Sequence, residues 1–102
     1  MIKYQLIINP FAEIDFYDAI KWYNLQKENL GSEFIQETEN TIFQIKNNPF
    51  QFPIIKSKIR RAVVSRFPYS IFFYVDKNII NVFAIFHTHR NPVIWKERFK
   101  TE

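Results

Sequence analysis

Apolar side chains recur at helical spacing through the first half of the chain and at strand spacing through most of the second. Residues 3–8 (KYQLII) are rich in β-branched and aromatic side chains and predict a short strand. Asn9 and Pro10 follow, a capping residue and then the imino acid suited to a first helical turn, so a helix should start there. Ala12, Phe16, Ala19, Ile20 and Tyr23 form its apolar stripe, with Glu13, Asp15, Asp18 and Lys21 as a wet face, and it should end near Gln26 or Lys27. Asn29-Leu30-Gly31 breaks the pattern. Leu30, Phe34, Thr38, Ile42 and Ile45 then make a second stripe, flanked by Glu33, Glu37 and Glu39, which stops at Asn47-Asn48-Pro49.

From there the period changes. Residues 49–56, with Pro49 and Pro53, read as a loop. Residues 58–67 and 70–75 read as strands separated by Pro68-Tyr69, and Asp76-Lys77-Asn78 reads as a hairpin turn. Residues 79–89 form a long apolar strand, hydrophobic enough to lie in the centre of a sheet covered on both faces. Pro92 opens a last short helix carrying Trp95 and Phe99 on one side. The order β-α-α-β-β-β-α makes an α+β fold: a helical hairpin packed on one face of a mainly antiparallel four-stranded sheet, in one domain over residues 1–102. Trp22, Tyr23 and Trp95 belong to its core on this reading.

Composition changes this picture in two places. Nineteen aromatic residues (twelve Phe, five Tyr, two Trp) among 102 supply a large core, and the absence of cysteine excludes disulfides, thiolate metal sites and a cysteine nucleophile. A cysteine-free chain with no signal peptide and no bilayer-length apolar run fits the cytoplasm, with no membrane partner. The charge is unevenly placed. Residues 1–53 carry four Lys and seven acids, net −3; residues 54–102 carry ten Lys or Arg and three acids, net +7. All five arginines, Arg60, Arg61, Arg66, Arg90 and Arg98, lie in the second half, which implies an anionic partner there.

Three patches resemble the RelE/ParE toxins of bacterial type II toxin–antitoxin systems. They are Ala19-Ile20-Lys21-Trp22-Tyr23 followed by Leu30-Gly31 and Phe34; Ile59-Arg60-Arg61 followed by Arg66-Phe67-Pro68-Tyr69-Ser70-Ile71; and the run 84–92 (AIFHTHRNP) followed by Trp95 and Arg98. The resemblance spans Tyr4 to Arg98. It implies a plasmid stabilisation-like toxin that inhibits growth until a cognate antitoxin binds it, in a toxin–antitoxin hetero-oligomer. It also implies one of two targets: DNA gyrase for ParE-like members, or messenger RNA in the ribosomal A site for RelE-like endoribonucleases.

The residues bear on that choice. Metal-free RNA cleavage needs an acid and a base, and a cation over the pentacovalent phosphate. His87 and His89 with Arg60, Arg66 and Arg90 are the candidates for those roles if the chain is a nuclease. Strand alternation puts His87 and His89 on one face and Arg90 on the other, and lets Arg60 and Arg66 flank one groove with Arg61 opposite. The bland alternatives are a structural histidine ending an apolar strand and an Arg66 paired with a helix acid. RelE-like nucleases resemble one another in a C-terminal tyrosine or histidine beside a basic cluster. Here residues 95–102 hold no tyrosine, and Phe99 transfers no proton, so the balance tilts toward ParE and away from an enzyme. Arg60, Arg61, Arg66, Arg90, Trp95 and Arg98 are then candidates for binding the antitoxin or the target. One glycine rules out a phosphate-cradling loop, and His-x-His lacks a further ligand nearby in sequence, so neither cofactor nor metal is expected.

Overall fold

Asn9 caps the first helix as its place before Pro10 predicts. In the computed structural model, which describes residues 3–101, its Oδ1 accepts the Ala12 N–H at 3.0 Å. The strand before it is β1, Gln5–Ile8, and the helix is α1, Pro10–Gln26. The second helix, α2, Leu30–Asn47, starts after Asn29, which takes the left-handed conformation at φ 68 that asparagine tolerates. The single glycine sits in the first turn of α2. Its N–H donates to Asn24 Oδ1 at 3.0 Å, and a Cβ there would lie 2.3 Å from that oxygen. A side chain at Gly31 would force the Asn24 amide to swing away and give up that bond.

Two sequence expectations need correcting in the strands. Residues 54–56, read as loop, form β2, Ile54–Lys56, paired antiparallel with β3, Ile59–Val63. The Pro53 signal was local: a proline can precede an edge strand, because its missing donor faces no neighbour. The sheet therefore has five strands, not four, in the order β1-β5-β4-β3-β2. The strand expected over 58–67 also stops early. Arg66 has φ 70, and the chain turns there before β4, Tyr69–Asp76. The last strand, β5, Ile79–His87, ends before His89, where Thr88 N–H donates to Pro68 O at 2.8 Å.

β1 runs parallel to β5, and the other pairings are antiparallel. Parallel neighbours need a long connection; here the α1–α2 hairpin carries the chain to β2 at the far edge, and β2, β3 and β4 bring it back to β5. β5 is not the middle strand by order, yet it is flanked on both sides and covered on both faces, which explains its continuous hydrophobicity. On the hairpin face Phe34, Ile45, Ile71, Phe73, Ile80 and Val82 are fully buried. On the other face α3, Val93–Thr101, packs Trp95 flat on Phe72, ring centroids 4.4 Å apart, with Phe83 and Phe86 beside it. A register shift between Phe72 and Phe73 leaves Phe83 without a partner on β4, and Phe83 and Ala84 both pack in this second core.

Two side chains sit opposite to expectation. Trp22 is exposed, because Tyr23 takes the inward position at that turn of α1. Asp15, expected on the wet face with Glu13 and Asp18, is buried, and its partners lie in the last quarter of the chain.

Candidate functional site

The five arginines do not share one groove. Arg98 leaves α3, reaches round the open side of β5 and meets Asp15 with both terminal nitrogens; its Nη2 donates to Asp15 Oδ1 at 2.9 Å. β1 pairs only with residues 79–82, so beyond it the β5 backbone lacks a neighbour. Asp15 Oδ2 accepts the Ile85 N–H at 3.0 Å, and Arg98 Nη1 donates to Phe83 O at 3.3 Å, satisfying groups that a longer β1 would have paired. Arg98, expected at a binding surface, is instead a buried tie between α1, β5 and α3.

Arg60 and Arg66 were expected to flank one groove, and they do not. Arg60 lies opposite Phe73, on the hairpin face, where its Nη1 donates to Phe52 O at 2.7 Å and its guanidinium lies over Phe50. Arg66 lies in the turn after β3, where strand alternation no longer applies. It binds Glu33 at 2.6 Å and Glu37 at 3.3 Å on α2, the pairing with a helix acid that the sequence left open. The guanidinium bonds hold the Glu33 carboxyl below its usual range and raise Arg66 further.

Arg61 and Arg90 remain, and they do come together. Arg61 pairs across β4 with Phe72, so it faces α3. Arg90 follows the turn that ends β5 and lies 4.2 Å over the Phe86 ring. Both line a cleft of about 240 Å³ with Ser70, His87, Pro92 and Trp95. Trp95 contributes the edge of a ring whose face is buried on Phe72. Beside it opens a second hollow of about 220 Å³, lined by Trp22, Tyr69, His87 and Arg90. His87 and Arg90 thus form a ridge between an aromatic hollow and a basic cleft. Trp22 is the residue sequence reasoning missed; an inward neighbour at 23 was the available sign that 22 points away.

The two histidines are neighbours, as their spacing implies, with ring centroids 5.4 Å apart, and Tyr69 stands edge-on to His87 at 5.2 Å. The His89 backbone N–H donates to His87 Nδ1 at 3.0 Å. Nδ1 is therefore an acceptor, and the proton sits on Nε2. Burial, and then the nearby His89, hold the His87 pKa below its ordinary value. Taking up a proton at Nδ1 would also break the bond to His89. His87 is poorly set as a general base and better set as a neutral donor through Nε2. The Tyr69 phenol is raised by burial, with Arg90 pulling the other way, so it stays protonated at neutral pH. Among the described residues no cluster of His, Asp and Glu is set to hold a metal ion, and no helix is long and apolar enough to cross a membrane.

No family model matches the sequence, and neither does any curated protein. A solved structure does: a chain of the chromosomal ParDE TA system from P. aeruginosa aligns with a TM-score of 0.75 at 17% identity, covering 83% of this chain and 96% of that one. The fold is α+β with a five-stranded mixed sheet, and it is similar to the fold of that chain.

Proposed function

We propose that this chain is a single toxin domain of a bacterial type II toxin–antitoxin pair, that it acts in the cytoplasm, and that it arrests growth when its antitoxin is absent. The observation that carries this is the fold shared with the ParDE chain over nearly that chain's whole length. Within that reading we favour a ParE-like mode, inhibition of DNA gyrase by binding. Arg61 and Arg90 are then the contact cations, with Trp22 and the edge of Trp95 beside them. The state of His87 supports binding over cleavage, because its free lone pair is already taken. The last helix adds no acid or base to the cleft: Phe99 packs against Phe83 and Tyr74.

The antitoxin has apolar surface to cover as well as charge. Phe11, Ile14, Trp22 and Leu25 are all more than half exposed along α1, Leu25 at 83%. An antitoxin segment disordered when free, bearing acidic and apolar side chains, would fold over that surface and the cleft together.

Induced expression with parallel assays of plasmid supercoiling and messenger RNA integrity tests the proposal. Loss of supercoiling with intact message is expected, and growth should return in an Arg61→Ala, Arg90→Ala double variant, whose side chains are exposed. Expression without growth arrest overturns the toxin reading. The alternative is a metal-independent, ribosome-dependent RelE-like endoribonuclease. It is favoured by the contiguous Tyr69, His87 and His89 rings next to Arg90. Codon-specific cleavage that disappears in His87→Ala or His89→Ala, with gyrase untouched, would establish it.

A further inference from the structure

Away from the Arg61–Arg90 cleft, the β2–β3 turn and α3 enclose a second kind of surface. A slot of about 190 Å³ is lined by Lys56, Ser57, Ile59, Lys96, Phe99 and Lys100. Its lining is mostly apolar: Ile59 is fully buried and Phe99 is held edge-on to Tyr74. Around this floor stand Lys56 and Lys58 on the strand side and Lys96 and Lys100 on the helix side. Lys58 lies 4.7 Å over the Tyr74 ring, which brings its charge to the same edge. Among the described residues these four cations show one ion pair, Lys100 with Glu97 at 3.4 Å, and both of those side chains are largely exposed. The two sides come from elements far apart in sequence, so the ring is a product of the fold.

We propose that this slot docks an acidic peptide segment, one apolar side chain packing on Phe99 and the lysine stems while flanking carboxylates meet Lys56, Lys96 and Lys100, with Lys58 at the edge. The proposal stands whether or not the chain is a toxin, since it uses none of the residues of that reading. Charge complementarity supplies the sign of the partner. The remaining chemistry separates a peptide from a nucleic acid. Single strands bind through aromatic faces that stack bases and through planar guanidinium groups. The described lining holds no arginine, and its one aromatic ring, Phe99, is packed against Tyr74 and Phe83. What is left suits an aliphatic or aromatic side chain end-on, with point charges around it.

The test measures anisotropy of a short fluorescein-labelled peptide of Glu and Leu with the purified chain. Binding should weaken steeply with added salt, because Lys56, Lys58 and Lys100 are exposed and Lys96 is only partly buried. Lys96→Glu with Lys100→Glu should weaken it by about ten-fold or more, since two attractive charges become repulsive. A matched peptide with Ser in place of Leu should bind at least about ten-fold more weakly, which isolates the apolar anchor. Circular dichroism establishes that the variant is folded; should it not be, Lys56→Ala with Lys58→Ala on the strand side serves in its place. The proposal is overturned if folded lysine variants bind the peptide as the parent does, or if the Ser peptide binds equally well. Tighter, lysine-dependent binding of oligouridylate in the same assay also overturns it, making the slot a nucleic-acid site.

Discussion

Two ion pairs in this molecule join a helix to a distant arginine, and they differ in where they sit. Asp15 and Arg98 are 4% and 13% exposed, make two contacts with each other and share backbone partners on β5. Glu33 and Arg66 are 39% and 56% exposed and satisfy nothing beyond themselves and Glu37. The Coulomb attraction is of the same kind in both, but water competes for the second pair and not for the first. The lesson is that a charge matters to the fold according to what is stranded when it is removed.

Breaking the buried pair should be the largest single effect. Asp15→Ala takes the carboxylate away from the mostly buried Arg98 guanidinium and leaves the Ile85 N–H without that acceptor, at a cost of about 3–5 kcal/mol, read from urea denaturation. Combining it with Arg98→Met should cost less than Asp15→Ala alone, since no charge is then stranded. If the double variant is the less stable of the two, the pair is not held by mutual need. The exposed pair predicts the opposite scale. Arg66→Ala should move the urea midpoint far less than Asp15→Ala does, and the difference should vanish in molar salt. Arg66→Gly should be more stable than Arg66→Ala by about 1 kcal/mol, because the position is left-handed at φ 70.

The smallest effects are in pH. Glu33 is held below its usual range, so the folded protein binds its proton less readily than the unfolded chain does. The contribution of that pair is complete above the ordinary glutamate value and is lost as pH falls through the lowered one. His87 runs in the same direction at higher pH. It too is lowered, so stability declines as pH drops below its ordinary value and toward the folded one. Thermal midpoints followed down from about pH 7 should show both declines. Glu33→Gln should flatten the lower and His87→Ala the upper.

This contrast also explains what the chain makes legible. Helix caps, the hairpin between α1 and α2 and the burial of β5 on two faces all follow from neighbours in sequence, and each is read there. Asp15 has no local mark: it stands between Glu13 and Asp18 like another surface acid, and its partner is 83 residues away. β2 is hidden for a related reason, since three residues after a proline become a strand only because β3 folds back on them. At the candidate site the pairing of His87 and His89 is visible as strand spacing. The grouping of arginines is not, because Arg66 and Arg90 lie in turns, where alternation carries no information. Arg61 is a candidate from the sequence, but its place facing α3 is known only from the β4 register, and Trp22 emerges only with the inward choice of Tyr23.

The parallel pairing of β1 with β5 has a consequence in time. Gln5 opposes Ile79, and Asp15 waits for Arg98 near the end of the chain. Contacts of such long range form late, after the loop entropy between them has been overcome. During vectorial synthesis the N-terminal strand and the α1–α2 hairpin must leave the exit tunnel with no edge to join. The native topology therefore closes only after β5 and α3 have been made, and shortening the chain before Arg98 should leave a nascent product that never locks.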